Sequence, residues 1–353
     1  MRRSEKSQKK RSKLSLTLKV ILMLAASLLI CVSAYGIYIT KKAEKAANSS
    51  YEELGDRSIS NLREAKVEPI TDNISVLFIG VDDSEKRGQG AEHSRSDALV
   101  LATLNNESKT VKLVSIPRDS NVYIPYVGYN DKITHAHAYG GTLATIETVE
   151  NLFDVPVDYY VRMNFEAFID VIDALGGITV DVNIPYAFTE KDEFDKYTVE
   201  LTPGPEQHLN GSQALALART RKIDSDIERG KRQQEIIKAM AKEAASIKSI
   251  TKYGDVIDAV GDNMKTDMTF DEMKALFSYL LNGIPQIDTL QLVGYDDWTT
   301  GTYYYTLDEE SLKETKSILQ SHLGLIPDTS NISGTTNDTG VTENTQGYEY
   351  DNQ

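Results

Sequence analysis

Cysteine is almost absent: the 353-residue chain holds one, Cys31. The bulk of the protein therefore has no disulfide to staple it, and at this length it can rely on its core instead. A lone cysteine also gives a zinc site no thiolate cluster. Basic charge is scarce too, except near the start of the chain. The formal net charge is -15, although Arg2, Arg3, Lys6, Lys9, Lys10, Arg11, Lys13 and Lys19 face only Glu5 in the first stretch. Taking those residues out leaves 40–353 with 30 basic and 52 acidic residues, a balance of -22. A surface that acidic does not suit nucleic acid, which needs a basic footprint. Two catalytic signatures are missing as well. There is no GxSxG nucleophile elbow, and "GGTLA" at 140–144 has no P-loop lysine.

Formal charge is also missing from Val20 to Ile39, "VILMLAASLLICVSAYGIYI". About 20 apolar residues suffice to span the hydrocarbon of a bilayer as a helix. The basic residues precede this stretch, which predicts an N-terminus in the cytoplasm and the bulk of the chain outside. A cleaved signal peptide is the competing reading, with a shorter apolar region and a small-residue cleavage site. The interface-type tyrosines Tyr35 and Tyr38 favour an uncleaved anchor. The expected organisation is a cytoplasmic basic tail at 1–19, a transmembrane helix at 20–39 and a polar juxtamembrane stalk at 40–73. An extracellular folded domain at 74–326 and a disordered polar tail at 327–353 follow, the tail being rich in Thr, Asn, Gly and Ser. An exported domain without cysteine is compatible with a Gram-positive cell membrane.

Apolar runs predict strands at Ile74–Gly80, Ala98–Leu104, Val111–Ile116, Val157–Met163, Ile178–Val182 and Thr289–Val293. Helical periodicity falls on 141–153, on "NFEAFIDVIDALGG" with Asn164 as cap and Gly176-Gly177 as stop, and on Ser212–Arg219, Glu228–Lys248, Phe270–Leu281 and Asp308–Leu319. Strands interleaved with helices argue for an α/β layered domain with a mixed or parallel sheet.

Three clusters carry chemistry. In the first, a strand ends at Gly80 and is followed by Asp82 and Asp83, while Arg95 and Asp97 precede the next strand. If the two strands pair, Asp82 and Asp97 meet at one edge of the sheet. Carboxylates converging there suit Mg2+, which takes one or two protein carboxylates plus phosphate oxygens. Ordinary solvated loop acids are the plain alternative. The second cluster is Arg118-Asp119 in "SIPRDSNVYIP", either the site end of a strand or a turn closed by Pro117. The third is "LARTRKIDSDIERGKRQQEII". There Arg219 and Arg221 precede a helix capped by Asp226, on which Arg229, Arg232 and Gln233 share one face. A solvated basic face is the alternative. Against it stands the concentration of guanidiniums on an acidic domain, since arginine forks match phosphate oxygens bidentately. His135 and His137 lack zinc spacing and are assigned a local loop or packing role.

"GVDD…RSDALV", "SIPRD", "KITHAHAYGG", "DALGGITVDV", "ALALARTR" and "DIERGKRQQEII" occur in the order found in the LytR-CpsA-Psr family, which the chain resembles over about 74–247. The resemblance implies a three-layer α/β/α sandwich with a central mixed sheet and a hydrophobic channel for a polyprenyl chain. It implies transfer of a glycopolymer, of teichoic acid or capsular type, from a polyprenyl-pyrophosphate carrier at the cytoplasmic membrane to a peptidoglycan hydroxyl through a phosphodiester link. Carried over motif by motif, Asp82 and Asp97 become ligands of Mg2+, with Mn2+ as the alternative. Arg95, Arg118, Arg219, Arg221, Arg229 and Arg232 become a pyrophosphate clamp, and Gln233 adds a hydrogen bond. Asp119 orients Arg118 or assists at the metal, and Asp226 opens the Asp-x-x-Arg-x-x-Arg-Gln run. Catalysis falls to Arg118, Asp119, Arg219, Arg221 and Asp226. The long loop between Asp82 and Asp97 leaves Asp82 against Asp83 open. Two rivals remain: a pyrophosphohydrolase using the same site, and a membrane-bound regulatory or binding protein. The latter has only a dozen or so intracellular residues, too few for a DNA-reading module.

Overall fold

The computed structural model of the chain describes residues 16–327 apart from 56, 83–93, 192–197, 221, 222, 224, 246–256, 258, 260, 262, 263, 282 and 284. Arg221, Asp83 and nearly all of the expected tail at 327–353 lie outside the described residues.

A six-stranded mixed sheet organises the described residues. Its order is β11 (Met264–Thr266), β6 (Tyr159–Asn164), β1 (Ile74–Val81), β2 (Ser96–Asn105), β3 (Thr110–Ser115), β12 (Gln286–Gln291). β1 runs parallel to β6 and β3 parallel to β12, while the other neighbours are antiparallel. Side chains alternate across the sheet with period two. Leu77, Ile79, Leu99, Leu101 and Val114 face one core, completed by Ile146 and Phe153 of α2 (Thr134–Phe153) and Leu319 of α7 (Glu309–His322), the helix after α6 (Phe270–Leu281). Val100, Ala102, Val111 and Leu113 face the other way, and Ile237 of α5 (Asp226–Ala244) packs on them. A further core joins α3 (Phe165–Leu175), α4 (Gly211–Arg219) and α5 to β7 (Ile178–Val182), β9 (Thr198–Leu201) and β10 (Gly204–Leu209). Helices therefore cover both faces of the sheet, as the sequence leads one to expect.

Local chemistry explains the helix limits. The Asn164 side chain accepts from Ala167 N at the start of α3, and Gly176 ends that helix with φ 90°. Asn210 and Gln213 form a capping box on α4. On α5 the cap is Ser225, whose side chain accepts from Glu228 N; Asp226, expected as the cap, is the first helical residue. Its carboxylate is thereby released to pair with Arg229. α2 consists of a short helical stretch from Thr134 and the expected helix at 141–153, joined by a kink where Gly140 (φ -146°) and Gly141 (φ 65°) leave the helical conformation. The glycines of "GGTLA" thus form the turn that leads into the second helical segment.

Sequence periodicity missed the small elements: the hairpin of β4 (Asn121–Ile124) and β5 (Tyr129–Lys132), the hairpin of β8 (Phe188–Lys191) and β9, strands β10 and β11, and the hairpin of β13 (Gly294–Asp297) and β14 (Tyr304–Leu307). These strands are short and half exposed, so little apolar alternation marks them.

The stretch expected as a stalk does not stand clear of the domain. α1 (Leu16–Ser50) runs eleven residues beyond the apolar stretch. Glu52 N then donates to Thr266 O, adding to the edge at β11, and Arg57 and Arg63 pair with Glu150 and Asp158 at 2.9 and 2.7 Å. Within 20–39, Met23, Leu28, Leu29 and Ile30 are exposed. Among the described residues no helix is long and apolar enough to cross a membrane.

Candidate active site

Strand parity places the first carboxylate. Val76, Phe78 and Gly80 of β1 alternate toward the α5 side, and Asp82 continues the series just past the strand end. Asp97 arrives differently. Gly80 pairs with Ala98 and Val81 with Ser96, so Asp97 is the extra residue of a β-bulge. A bulge re-aims the residue it inserts, and Asp82 and Asp97 both line one cavity of about 760 Å3. The lead-in to β2 is pinned by the "THAH" run: Thr134 Oγ1 donates to Ser96 O at 2.7 Å, and His137 Nδ1 to Ser94 O at 2.8 Å. His135 pairs with Asp131 at 2.8 Å. Both histidines have the local roles expected of them.

"SIPRD" and the serine after it are tied to two other segments. Arg118 O accepts from Thr134 N, Asp119 O from Tyr305 N and Ser120 O from Ile133 N, at 3.1, 2.9 and 3.0 Å. This frame holds Arg118 at the cavity mouth, where Nη1 donates to Asp97 Oδ1. Arg118 Nε is buried without a hydrogen-bond partner and lies 3.9 Å from Asp119 Oδ2. Lys132 Nζ in turn sits 2.9 Å from Asp119 Oδ1. Lys132 belongs to the "KITHAHAYGG" run, but nothing in its spacing announced this contact; a hairpin invisible to periodicity delivers it.

α5 brings the third cluster. Gly230 allows the approach: a Cβ there would meet Ser115 Oγ at 2.8 Å. Arg229 is 4% exposed and held by Asp226 through Nη1–Oδ1 at 2.9 Å and Nη2–Oδ2 at 3.1 Å. Arg229, Gln233 and Arg219 line the same cavity as Arg118. Arg219 donates to Lys191 O at 3.1 Å and stacks 5.7 Å from the Phe165 ring. Gln233 Nε2 donates to Ala218 O at 3.2 Å.

Two expected clamp residues stand apart from this cavity. Arg232 shares the helix face but is 5% exposed and donates from Nε to Leu217 O and from Nη2 to Thr220 O, each at 3.0 Å. It satisfies carbonyls that α4 leaves open at its C-terminal end, and so ties α4 to α5. Arg95 is exposed and outside the lining. Glu190 of β8, which the sequence did not single out, lines the cavity.

Behind the charged mouth the walls are apolar: Phe78 and Val100 from the sheet, Phe168 and Val171 from α3, Ile237 and Met240 from α5. Ala244 lies fifteen residues beyond Arg229 on α5 and still lines the cavity, so the space extends about 22 Å along that helix at 1.5 Å per residue. A slot with apolar walls and a cationic, carboxylate-bearing mouth suits an amphiphile with a long hydrocarbon tail and an anionic head.

A model of the LytR_cpsA_psr family matches residues 37–321. The chain belongs to this family. One relative, the polyisoprenyl-teichoic acid–peptidoglycan teichoic acid transferase TagT of Bacillus subtilis, is 40% identical over 325 residues, covering 92% of this chain and 99% of the relative. An uncharacterized protein of Staphylococcus aureus is 45% identical over 314 residues, covering 88% of this chain and 77% of its own. Among solved family members, TagT bound to LI-WTA is 37% identical with a TM-score of 0.63, covering 77% of this chain and 99% of that one. A TagT structure with bound octaprenyl pyrophosphate lipid is 34% identical with a TM-score of 0.59, over 77% and 99% of the two chains.

Proposed function

We propose that this protein moves an anionic glycopolymer of teichoic acid type from a polyprenyl-pyrophosphate carrier to a peptidoglycan hydroxyl, forming a phosphodiester link. The observation that carries this reading is the junction of a long apolar cavity with a mouth holding Arg118, Arg219 and Arg229. The tail of the donor lies in the cavity and its pyrophosphate at the mouth. Relatives named as teichoic acid transferases, and one seen with octaprenyl pyrophosphate, support the same reading.

The arginines hold the pyrophosphate and stabilise charge that develops as the bond breaks. The acceptor oxygen forms a new bond to the phosphorus that carries the glycan. The bond from that phosphorus to the bridging oxygen breaks, and polyprenyl phosphate leaves. The acceptor proton passes to solvent or to a mouth carboxylate. Asp119 keeps Arg118 oriented, and Asp226 does the same for Arg229. Among the described residues no group of three or more His, Cys, Asp or Glu could hold a metal ion. Asp82 and Asp97 supply two hard oxygen donors at the mouth, which fits Mg2+ completed by phosphate oxygens. Bound there, Mg2+ would neutralise pyrophosphate charge; Mn2+ would serve the same ligands.

Membrane attachment belongs to this reading. The uncharged stretch 20–39 has exposed apolar side chains and follows the basic residues, which suits a single anchor with the N-terminus inside. Protease added to intact protoplasts should then digest the domain; complete protection would overturn the topology. For the reaction, the chain is incubated with labelled lipid-pyrophosphate glycan and nascent peptidoglycan, with and without Mg2+. Label on peptidoglycan is expected, whereas label released only as free glycan phosphate would make the protein a hydrolase.

A further inference from the structure

Beside the mouth, on the side of Asp119, the β4–β5 and β13–β14 hairpins come together. Ser120 and Tyr305 form a bridge between them, and Tyr304 Oη donates to Asp131 at 3.3 Å. Their surface is unusually aromatic. Trp298 is 64% exposed, Tyr295 60% and Tyr126 60%, with Tyr123 and Tyr129 also exposed. Soluble surfaces seldom keep large rings in such a group without a use for them. The Trp298 and Tyr303 rings lie 5.0 Å apart, and Lys132 Nζ sits 5.4 and 5.7 Å from the rings of Tyr303 and Tyr304.

The group is continuous with the site. Lys132 is the cation that pairs with Asp119, next in sequence to Arg118. Asp119 and Asp226, which pair with the mouth arginines Arg118 and Arg229, both act electrostatically on Tyr303 and hold its hydroxyl in the protonated form, after burial and its hydrogen bond to Asp296. The rings therefore begin where the phosphate-holding groups end.

We propose that this aromatic surface binds the acceptor: the uncharged sugar rings of the peptidoglycan glycan strand, laid across Trp298 and Tyr303 with a hydroxyl led past Lys132 toward Arg118. The proposal rests on the transfer reading above and names where its second substrate sits. Aromatic rings with polar tips offer flat apolar area together with hydrogen bonds. A sugar ring presents the complement, an apolar C–H face edged by hydroxyls. Carboxylates accept from such hydroxyls, and Asp296 and Asp297 lie on β13 beside the rings. The same carboxylates disfavour the donor's polyanionic chain, because like charges placed together repel. A second copy of this acidic chain is disfavoured for the same reason.

Trp298 is the only tryptophan of the chain, so tryptophan fluorescence reports on this surface directly. The full-length chain in detergent is titrated with a peptide-free oligosaccharide of alternating N-acetylglucosamine and N-acetylmuramic acid whose lactyl carboxyls are amidated, and separately with a soluble polyol phosphate. A saturable change with the oligosaccharide alone is expected. In the transfer assay, Trp298→Ala and Tyr303→Ala should each raise the acceptor KM about tenfold, the loss of one stacking contact. Trp298→Phe should recover most of it, and the donor KM should stay within about twofold of wild type. No change with oligosaccharide, a change with polyol phosphate instead, or one that tracks protein concentration would each overturn the proposal. So would an unaltered acceptor KM in both alanine variants. Oligosaccharide binding without transfer would sink the transfer reading and leave the surface standing; transfer without oligosaccharide binding would do the reverse.

Discussion

Arg118 and Arg232 look equivalent in sequence, each a guanidinium in a motif, yet their surroundings differ. Arg118 has a buried Nε without a hydrogen-bond partner at a cavity mouth. Arg232 uses Nε and Nη2 on the carbonyls of Leu217 and Thr220. Lysine keeps the charge and loses the fork. Arg118→Lys and Arg229→Lys should therefore cost about ten- to a hundredfold in transfer, from the roughly 1.5–3 kcal/mol of a charge-assisted hydrogen bond, with little change in melting temperature. Arg232→Lys should instead destabilise by about 1–3 kcal/mol, the cost of carbonyls left unpaired, as read by a denaturant midpoint. A normal midpoint with lost transfer would return Arg232 to the clamp. Asp82→Asn and Asp97→Asn should abolish any Mg2+ stimulation while the fold persists. The sequence named these residues because carboxylates and arginines stand out on its strands and helices. It could not separate Arg118 from Arg232, since that difference lies in which carbonyls end up nearby.

Elements were legible where burial writes a period. β1, β2 and β3 have apolar faces on both sides, and α3 carries its own cap and stop, so their places followed from pattern. The bulge at Asp97 and the Tyr-rich hairpins leave no such trace. The last helix supplies a test at this scale. His322 of α7 lies between Thr103 Oγ1 at 2.7 Å and Thr110 Oγ1 at 2.8 Å, linking α7 to the sheet. Burial, aided by Lys112, pushes its pKa down from 6.5 to about 4. Between those values the unfolded chain binds the extra proton, so this contribution is complete above pH 6.5 and is lost as pH falls toward 4. The loss is on the order of 3 kcal/mol. Asp267 slopes the other way, since burial raises its pKa to about 6 and the folded state gains the proton there. The comparison is therefore wild type against His322→Gln, by urea midpoints at pH 7.5 and 4.5. The gap between the two proteins should narrow or reverse at the lower pH; a constant gap would mean that His322 does not titrate as its surroundings demand.

At the scale of the whole molecule the sheet divides two tasks. One face is closed by α2 and α7 into a solid core, and the other is held open by α3, α4 and α5 as a cavity. α5 connects both ends of that cavity, with Arg229 at the mouth and Ala244 about 22 Å further on by helix rise. If the cavity takes the proposed donor, distance along one helix corresponds to distance along the lipid tail. Ala244→Trp places a ring far from the pyrophosphate, whereas Ala218→Trp places one beside Arg219. If the cavity holds the tail, Ala244→Trp should raise the KM of a long-chain polyprenyl donor about tenfold, the cost of displacing one or two buried isoprene methylene groups. It should leave a short-chain donor with the same pyrophosphate head nearly unaffected. Ala218→Trp should impair both. Chain-length assays on the two variants decide it. Equal losses for long and short donors in Ala244→Trp would mean that the tail lies elsewhere, and the pairing of an apolar cavity with a cationic mouth would no longer support a lipid-linked substrate.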